Sequence, residues 1–311
     1  MPRPVNKKAS RPSPLAAALA RQAHSNRSVA GHEGHFAAHR TRLTQEISTR
    51  APAGGGGRLC LLGAGNANDV DLVALLGRFR EVHLVDIDAA AVEVAVGRLT
   101  TDERPRVKVH APVDVSGIFD QMEDWSRTPP AASAIAGAVE AAPAQVAAAL
   151  PGPFDVVVSC CLLTQLQLVL LEIVGDRNPR FDELRTAINT IHVRTLLSLL
   201  APRGVALLVT DLTASATYPF DALDPDVDLT ALMGDLLATG NVIHAAHPGR
   251  LSAVVRRDPA LAARYDLRLP IGPWLWHNGP DQTYLVYAIE LTARAPGAER
   301  GESAGRGGAE T

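Results

Sequence analysis

Apolar positions along this chain come in short continuous runs separated by helix-length segments. Residues 59–63 (LCLLG), set between four glycines at 54–57 and a turn, read as a fully buried strand, and Asp69 opens a helical pattern through Val70, Val73 and Leu76. A second run, EVHLVDID at 81–88, ends in acids and leads into DAAAVEVAVGRL, where Asp88 is a good helix N-cap. RVKVH (106–110) alternates as a third strand, and the Ala/Pro-rich stretch 129–150 is expected to hold a helix near 140–149. PFDVVVSC (153–160) is a β-branched fourth strand, followed by helices over LLTQLQLVLLEIVG and DELRTAINTIHVRTLLSLLA, the second stopped by Pro202 and Gly204. GVALLVTD (204–211) is the fifth strand.

Strands alternating with helices at this spacing predict an α/β fold, a doubly wound, mostly parallel sheet with helices on both faces, because parallel neighbours need crossover connections. The C-terminus departs from that rhythm. PWLWHNGPDQTYLVYAIEL places two aromatic and β-branched runs on either side of Asn278-Gly279-Pro280. That pattern is a hairpin, so one of the last strands of a seven-stranded sheet must run antiparallel.

Composition narrows the class without naming it. With 311 residues, 47% hydrophobic and 20% charged, the chain can bury a substantial core as one large domain or two smaller ones. A formal net charge of -3 argues against a nucleic-acid binder held by phosphate contacts and favours a small-molecule substrate. Three cysteines, two of them adjacent, give neither a disulfide framework nor a zinc spacing, which favours a reducing cytoplasm. No apolar run is long enough for a membrane span. Residues 1–23 are expected to be a disordered tail rather than a transit peptide, 24–57 a helical lid segment, 58–292 the α/β domain with 212–271 as an inserted cap, and 293–311 a second disordered tail. Oligomeric state is not legible.

In doubly wound sheets ligands sit beyond the carboxyl ends of the strands. Gly63 and Gly65 permit close backbone approach there, and the segment from Asn66 to Asp69 offers amides to a carboxylate or phosphate. Asp86 follows Gly65 by 21 residues, near the distance at which an acid accepts ribose hydroxyls. Asp114, soon after the third strand, is placed for an adenine amine, or else caps its own turn. The third glycine of a dinucleotide fingerprint is absent; Asn68 stands there.

Taken in order, these segments resemble the class I S-adenosylmethionine-dependent methyltransferases: LLGAGNANDVDL the first motif, LVDID the second, PVDVSG the adenine-contact segment, PFDVVVSCCLLTQL the fourth, and the terminal hairpin the reversed seventh strand. The resemblance implies S-adenosyl-L-methionine as cofactor. Gly63, Ala64 and Gly65 would line its methionine and ribose region, Asp86 and Ile87 the ribose, Asp114 and Val115 the adenine, and Ser159 to Cys161, Cys160 included, the sulfonium. Many members carry an acid where this chain has Leu61, and Asn66, Asn68 or Asp69 is the substitute for holding the methionine amine. A loop with no pyrophosphate to seat suits an adenosyl amino acid better than a dinucleotide, which disfavours a nicotinamide oxidoreductase. The same loop would serve aminopropyl or aminocarboxypropyl transfer, for which Asp211 is the acid available to seat a polyamine, or a non-catalytic adenosyl-binding protein.

Acceptor-side residues are sought in the histidine-rich segments 24–43 and 212–271. His35 and His39 lie one helical turn apart on a face shared with Phe36 and Leu43, with His32 upstream, and are the candidate catalytic base or substrate ligands. GHEGH is not HExxH and no acid ligand is evident, so no metal is expected. His244, His247 and His277 are weaker candidates. Trp274 and Trp276 share a strand face, as core or as a stacking platform. Cys160 and Cys161 read as small apolar fillers rather than nucleophiles.

Overall fold

The computed structural model describes residues 12–29, 31, 34–279 and 282–295; His32, Pro280 and the termini at 1–11 and 296–311 lie outside these. The expected strands form: β1 (Arg58–Leu62), β2 (Glu81–Val85), β3 (Val107–His110), β4 (Phe154–Cys160) and β5 (Leu200–Ala214), closed by the hairpin β6 (Tyr265–His277) and β7 (Thr283–Ala293). They make one seven-stranded sheet in the order β3-β2-β1-β4-β5-β7-β6. The first five pair in parallel, while β7 pairs antiparallel with both β5 and β6.

Period-two alternation divides the core between the two faces of the sheet. Cys60 and Leu62 pack into one cluster, with the helices α5 (Phe119–Arg127), α6 (Ala132–Ala148), α7 (Leu162–Val174) and α8 (Phe181–Ser198). Leu59 and Leu61 pack into the other, with α2 (Ala37–Ser48), α3 (Leu72–Leu76) and α4 (Ala89–Gly97). Burial on both faces explains why these strands are continuous apolar runs.

Four expectations change. Residues 14–23 are not a disordered tail: they belong to helix α1 (Pro14–Ser28), started by a Ser13 N-cap and Pro14. The segment assigned as a helical lid carries α2 into the core, with Leu43 and Ile47 fully buried, while its Ser25, Asn26, Val29 and Phe36 line the cavity described below. The helix after β1 begins at Leu72, capped by Asp71, so Asn66 to Asp69 form a loop and not a helix start. The segment 212–271 gives up both ends to β5 and β6 and folds between them as α9 (Leu229–Thr239), α10 (Pro248–Arg256) and α11 (Pro259–Arg264). Among the described residues no helix is long and apolar enough to cross a membrane.

Candidate functional site

The loop leaving β1 is bent over the end of β2. Gly63 N and Ala64 N both donate to Val85 O, at 2.9 and 3.2 Å. Gly63 has φ +73°, and a Cβ there would stand 2.9 Å from Leu162 Cβ, so both conformation and the first turn of α7 demand glycine. The Asp86 carboxylate ties this loop to the one leaving β2: Oδ2 accepts from Gly65 N at 2.7 Å and Oδ1 from Asp88 N at 2.8 Å. Burial raises the Asp86 pKa, and the backbone N–H groups aimed at it pull in the opposite direction. Helix α1 closes over this loop. Asn26 Nδ2 donates to Asp88 Oδ2 at 2.9 Å, and Asn26 O accepts from Asn66 Nδ2 at 2.6 Å.

Beneath α1 lies a cavity of about 700 Å³, lined by Gly63 to Asn66, Asn68, Asp69 and Asp86 from the loops leaving β1 and β2, and by Thr164, Gln167, Asp211, Trp276 and Tyr284 from α7, β5 and the terminal hairpin. A narrow apolar slot opens from it between Ile87, Val115, Phe119 and Leu162, with Gly63, Asp86, Gln22 and Gln165 lining both spaces. The α1 side is held by Gln22 Nε2, which donates to Gln165 Oε1 at 2.7 Å. The sequence reading missed Gln22 and Asn26, because the residues of α1 are mostly alanine and polar and carry no strong apolar stripe.

His39 is buried and does not line the cavity. Trp274 Nε1 donates to His39 Nδ1 at 2.9 Å, which assigns the ring proton to Nε2, and Nε2 lies 3.6 Å from Asp69 Oδ1. The ring also stacks on Trp276 at a centroid distance of 4.9 Å. Burial, with Arg40 adding to it, pushes His39 down to about 3. A neutral ring with one nitrogen engaged and the other protonated has no lone pair for a substrate, so His39 positions Asp69 instead of acting as a base. His35 is exposed and is not among the cavity-lining residues.

Asp69 shows the opposite perturbation. Burial, and then the nearby Asp211, raise it to about 7 against the pull of Arg40. A carboxyl raised in the folded state stabilises fully below its ordinary value of 3.8, and that contribution is lost as pH rises through about 7. Asp69→Asn is therefore expected to melt higher than the parent at about pH 8, with the gap closing towards about pH 4. Scanning calorimetry at the two pH values checks this, and an equal shift at both would show that Asp69 carries no such penalty. His39 titrates with the opposite sign, losing its contribution as pH falls from 6.5 towards about 3, and is common to both proteins.

The remaining candidates separate by their partners. Asn66 and Asn68 are tied to α1 and to Arg98: Asn68 Nδ2 donates to Val29 O, and Arg98 Nη1 donates to Asn66 O and Asn68 Oδ1. Asp114 lies in neither space; Ser116 N, Ser116 Oγ and Phe119 N donate to its carboxylate, so it caps the turn into α5. Ser159 points to α8, 2.8 Å from His192 Nε2, and Cys160 is buried off the cavity. Of that trio Cys161 reaches the cavity, in a left-handed conformation with φ 47°. Burial holds both thiols far above the range in which a thiolate forms. Trp274 packs in the core and Trp276 lines the cavity, so the two halves of that pair divide the roles.

No protein-family model matches the chain, and no curated protein matches it. Among solved structures, the glycopeptide N-methyltransferase MtfA complexed with S-adenosyl-L-methionine is 14% identical, covers 83% of this chain and 94% of its own, and superposes with a TM-score of 0.42. An arsenic(III) S-adenosylmethionine methyltransferase from Chlamydomonas reinhardtii is 15% identical over 85% of this chain and 74% of its own, with a TM-score of 0.38. YcgJ from Bacillus subtilis is 13% identical over 82% and 98%, with a TM-score of 0.41. Likeness at this level carries no argument about the site; the fold rests on the sheet order itself.

Proposed function

We propose that this chain binds S-adenosyl-L-methionine where β1 and β2 end and transfers its methyl group to a small-molecule acceptor, as the motif order implies. The observation that carries the reading is that the polar cavity and the apolar slot meet at Gly63 and Asp86. The slot between Ile87, Val115, Phe119 and Leu162 has the apolar walls that a purine face requires, and at about 30 Å³ it has to widen to admit one. The Asp86 carboxylate has about four lone-pair sites; the N–H groups of Gly65 and Asp88 take two and that of Ile87 also faces it, and the acceptor capacity left over is what would hold the ribose. Asp69 stands in for the acid missing at Leu61: it lines the cavity with its Oδ1 turned to His39 Nε2, 3.6 Å away, while the side chains of Asn66 and Asn68 are already engaged. Asn26, packed over Gly65, leaves little room for a pyrophosphate above the loop.

The cofactor, once bound, supplies a methyl group on a sulfonium, open to in-line displacement. The residues of this chain contribute alignment and exclusion of water, with α1 covering the loop and Cys161 bordering the space beyond it. Neither His35 nor His39 takes part as a base.

The test is a thermal-shift and calorimetric panel of adenosylmethionine, adenosylhomocysteine, decarboxylated adenosylmethionine and NAD. Adenosylhomocysteine at about 100 times its Kd is expected to stabilise the fold by about 2.7 kcal/mol, a rise of several degrees, with NAD giving no shift at the same concentration. NAD protecting better than adenosylhomocysteine would replace methyl transfer by hydride chemistry, and preference for the decarboxylated donor would favour aminopropyl transfer.

A further inference from the structure

We infer that the part of the cavity around Asp211 is the acceptor subsite and that it takes the ammonium group of an apolar primary amine, which gives one proton to the Asp211 carboxylate and so frees a nitrogen lone pair for the methyl group, an inference that rests on reading the region of Gly63 and Asp86 as the donor site. Asp211 sits at the end of β5, is 5% exposed, and lines the cavity. Its Oδ2 accepts from Thr164 Oγ1 at 2.6 Å, which fixes the carboxylate; the weakly donating Cys161 thiol also faces it, and Oδ1 is buried without a hydrogen bond from any nitrogen or oxygen. Gln167 lies on the same face of α7, three residues beyond Thr164. It spends its amide hydrogens on Arg185 O and Asn189 Oδ1, at 3.0 and 2.8 Å, and its Oε1 is likewise buried and unpartnered. Among the described residues lining the cavity, the buried acceptors without a partner are Gln167 Oε1 and Asp211 Oδ1, with Asp69 Oδ1 turned to His39, against the single donor Trp276 Nε1.

The complement of such a surface is a group rich in donors and positively charged. An ammonium offers three N–H bonds, an alcohol one, and a carboxylate none. The surrounding wall is aromatic: Trp276, itself stacked by His39, lies 5.1 Å from Tyr284 and 6.1 Å from Phe36, centroid to centroid, and Trp276, Tyr284 and Phe36 all line the cavity. Leaving a buried carboxylate oxygen unmatched costs stability, and burial accordingly raises Asp211 to about 6; a bound ammonium removes that cost. The body of the amine is set by the mouth, where α7 presents Leu168 and Leu171, 57% and 42% exposed, beside Phe181. Arg185 also lines the cavity, but its guanidinium lies over the Phe181 ring, at 5.8 Å, and 3.6 Å from Asp182, so the cationic head is excluded from that end and an alkyl or aryl chain is accommodated there.

The full chain is first titrated calorimetrically with adenosylhomocysteine. With that ligand saturating, 2-phenylethylamine and n-hexylamine are then compared with 2-phenylethanol and n-hexanol. The amines are expected to bind about tenfold or more tightly than their alcohols, the scale of one charge-assisted hydrogen bond. Asp211→Asn, which keeps size and the contact to Thr164, is expected to weaken the amines by a similar factor while leaving adenosylhomocysteine within about twofold. Gln167→Met provides a second variant with a smaller effect of the same sign. Alcohols binding as tightly as amines, no amine binding at all, or amine affinity unmoved in a folded Asp211→Asn protein would each overturn the subsite. Failure of adenosylhomocysteine to bind, with amines still held in an Asp211-dependent way, would sink the donor reading and leave the ammonium site standing.

Discussion

A variant lacking residues 1–50 is expected to lose cooperative thermal unfolding, whereas one lacking residues 1–29 is expected to keep it and lose tight binding of adenosylhomocysteine. The difference lies in what the two N-terminal helices bury. Phe36, Leu43 and Ile47 are 2%, 0% and 0% exposed and belong to the cluster that packs Leu59, Leu61 and Val158. Emptying each such site costs about 2–5 kcal/mol, so the three together match the whole stability of a typical domain, about 5–15 kcal/mol. Polar losses add to this. Trp274 Nε1 loses His39, Glu290 loses the Arg50 ion pair at 2.6 Å between two largely buried side chains, and Asp71 N loses Thr44 Oγ1. Helix α1, by contrast, contributes Ala18 as its fully buried residue, with Leu15 and Leu19 only partly buried against the core, and its polar contacts run to α7 and to the loop. Scanning calorimetry and adenosylhomocysteine titration on both truncations read the two effects separately. A cooperative transition in the variant beginning at residue 51, near that of the parent, would remove α2 from the core.

Helix α2 marks a limit of pattern reading. The spacing of Phe36, His39 and Leu43 defines one helical face, and that face is indeed the buried one. Periodicity says that a face is covered and does not say by what; here the cover of His39 and Leu43 is the sheet and the two tryptophans, and Phe36 is the one member of the face that also borders the cavity. The parallel strands were legible because burial on both faces leaves each as an apolar run of distinctive length. Helix α1 was not, since alanines and polar residues bury little, although Ser13 followed by Pro14 is a start signal. At the site, Gly63, Gly65 and Asp86 could be placed because a turn, a close approach and a 21-residue spacing are local properties. The role of His39 depends on Trp274, 235 residues away, and the orphaned oxygen of Asp211 on Thr164, 47 residues away; neither pairing leaves a trace in spacing. Asp114 shows the converse error. Asp-Val-Ser-Gly after a strand fits a ligand acid and a turn cap equally well, and the turn claims both of its oxygens.

The other large effect is expected for Asp86→Ala, with Asp114→Ala as its control. Asp86 and Asp114 are similarly buried, both are raised by that burial, and both accept backbone N–H groups of their own loops. Truncating either leaves buried donors unmatched, at about 1–3 kcal/mol for each, so both variants should unfold at distinctly lower urea concentration than the parent. They should part company on the ligand. Asp86 lines the cavity and the slot, and the N–H it holds belongs to Gly65 itself, so its loss removes the acceptors for the ribose and also frees the loop that shapes the site. Adenosylhomocysteine is expected to bind Asp86→Ala about 10- to 100-fold more weakly, the effect of about 1.5–3 kcal/mol for hydrogen bonds to a charged group. Asp114→Ala, compared at a temperature where both variants are folded, should stay within about threefold of the parent. Asp86→Asn should fall between, because its amide oxygen can serve one backbone N–H while its NH₂ group opposes the other. Equal losses of affinity in the alanine variants would mean that ligand binding merely follows fold stability, and full affinity in folded Asp86→Ala protein would remove Asp86 from the ribose site and with it the main physical support for an adenosyl ligand.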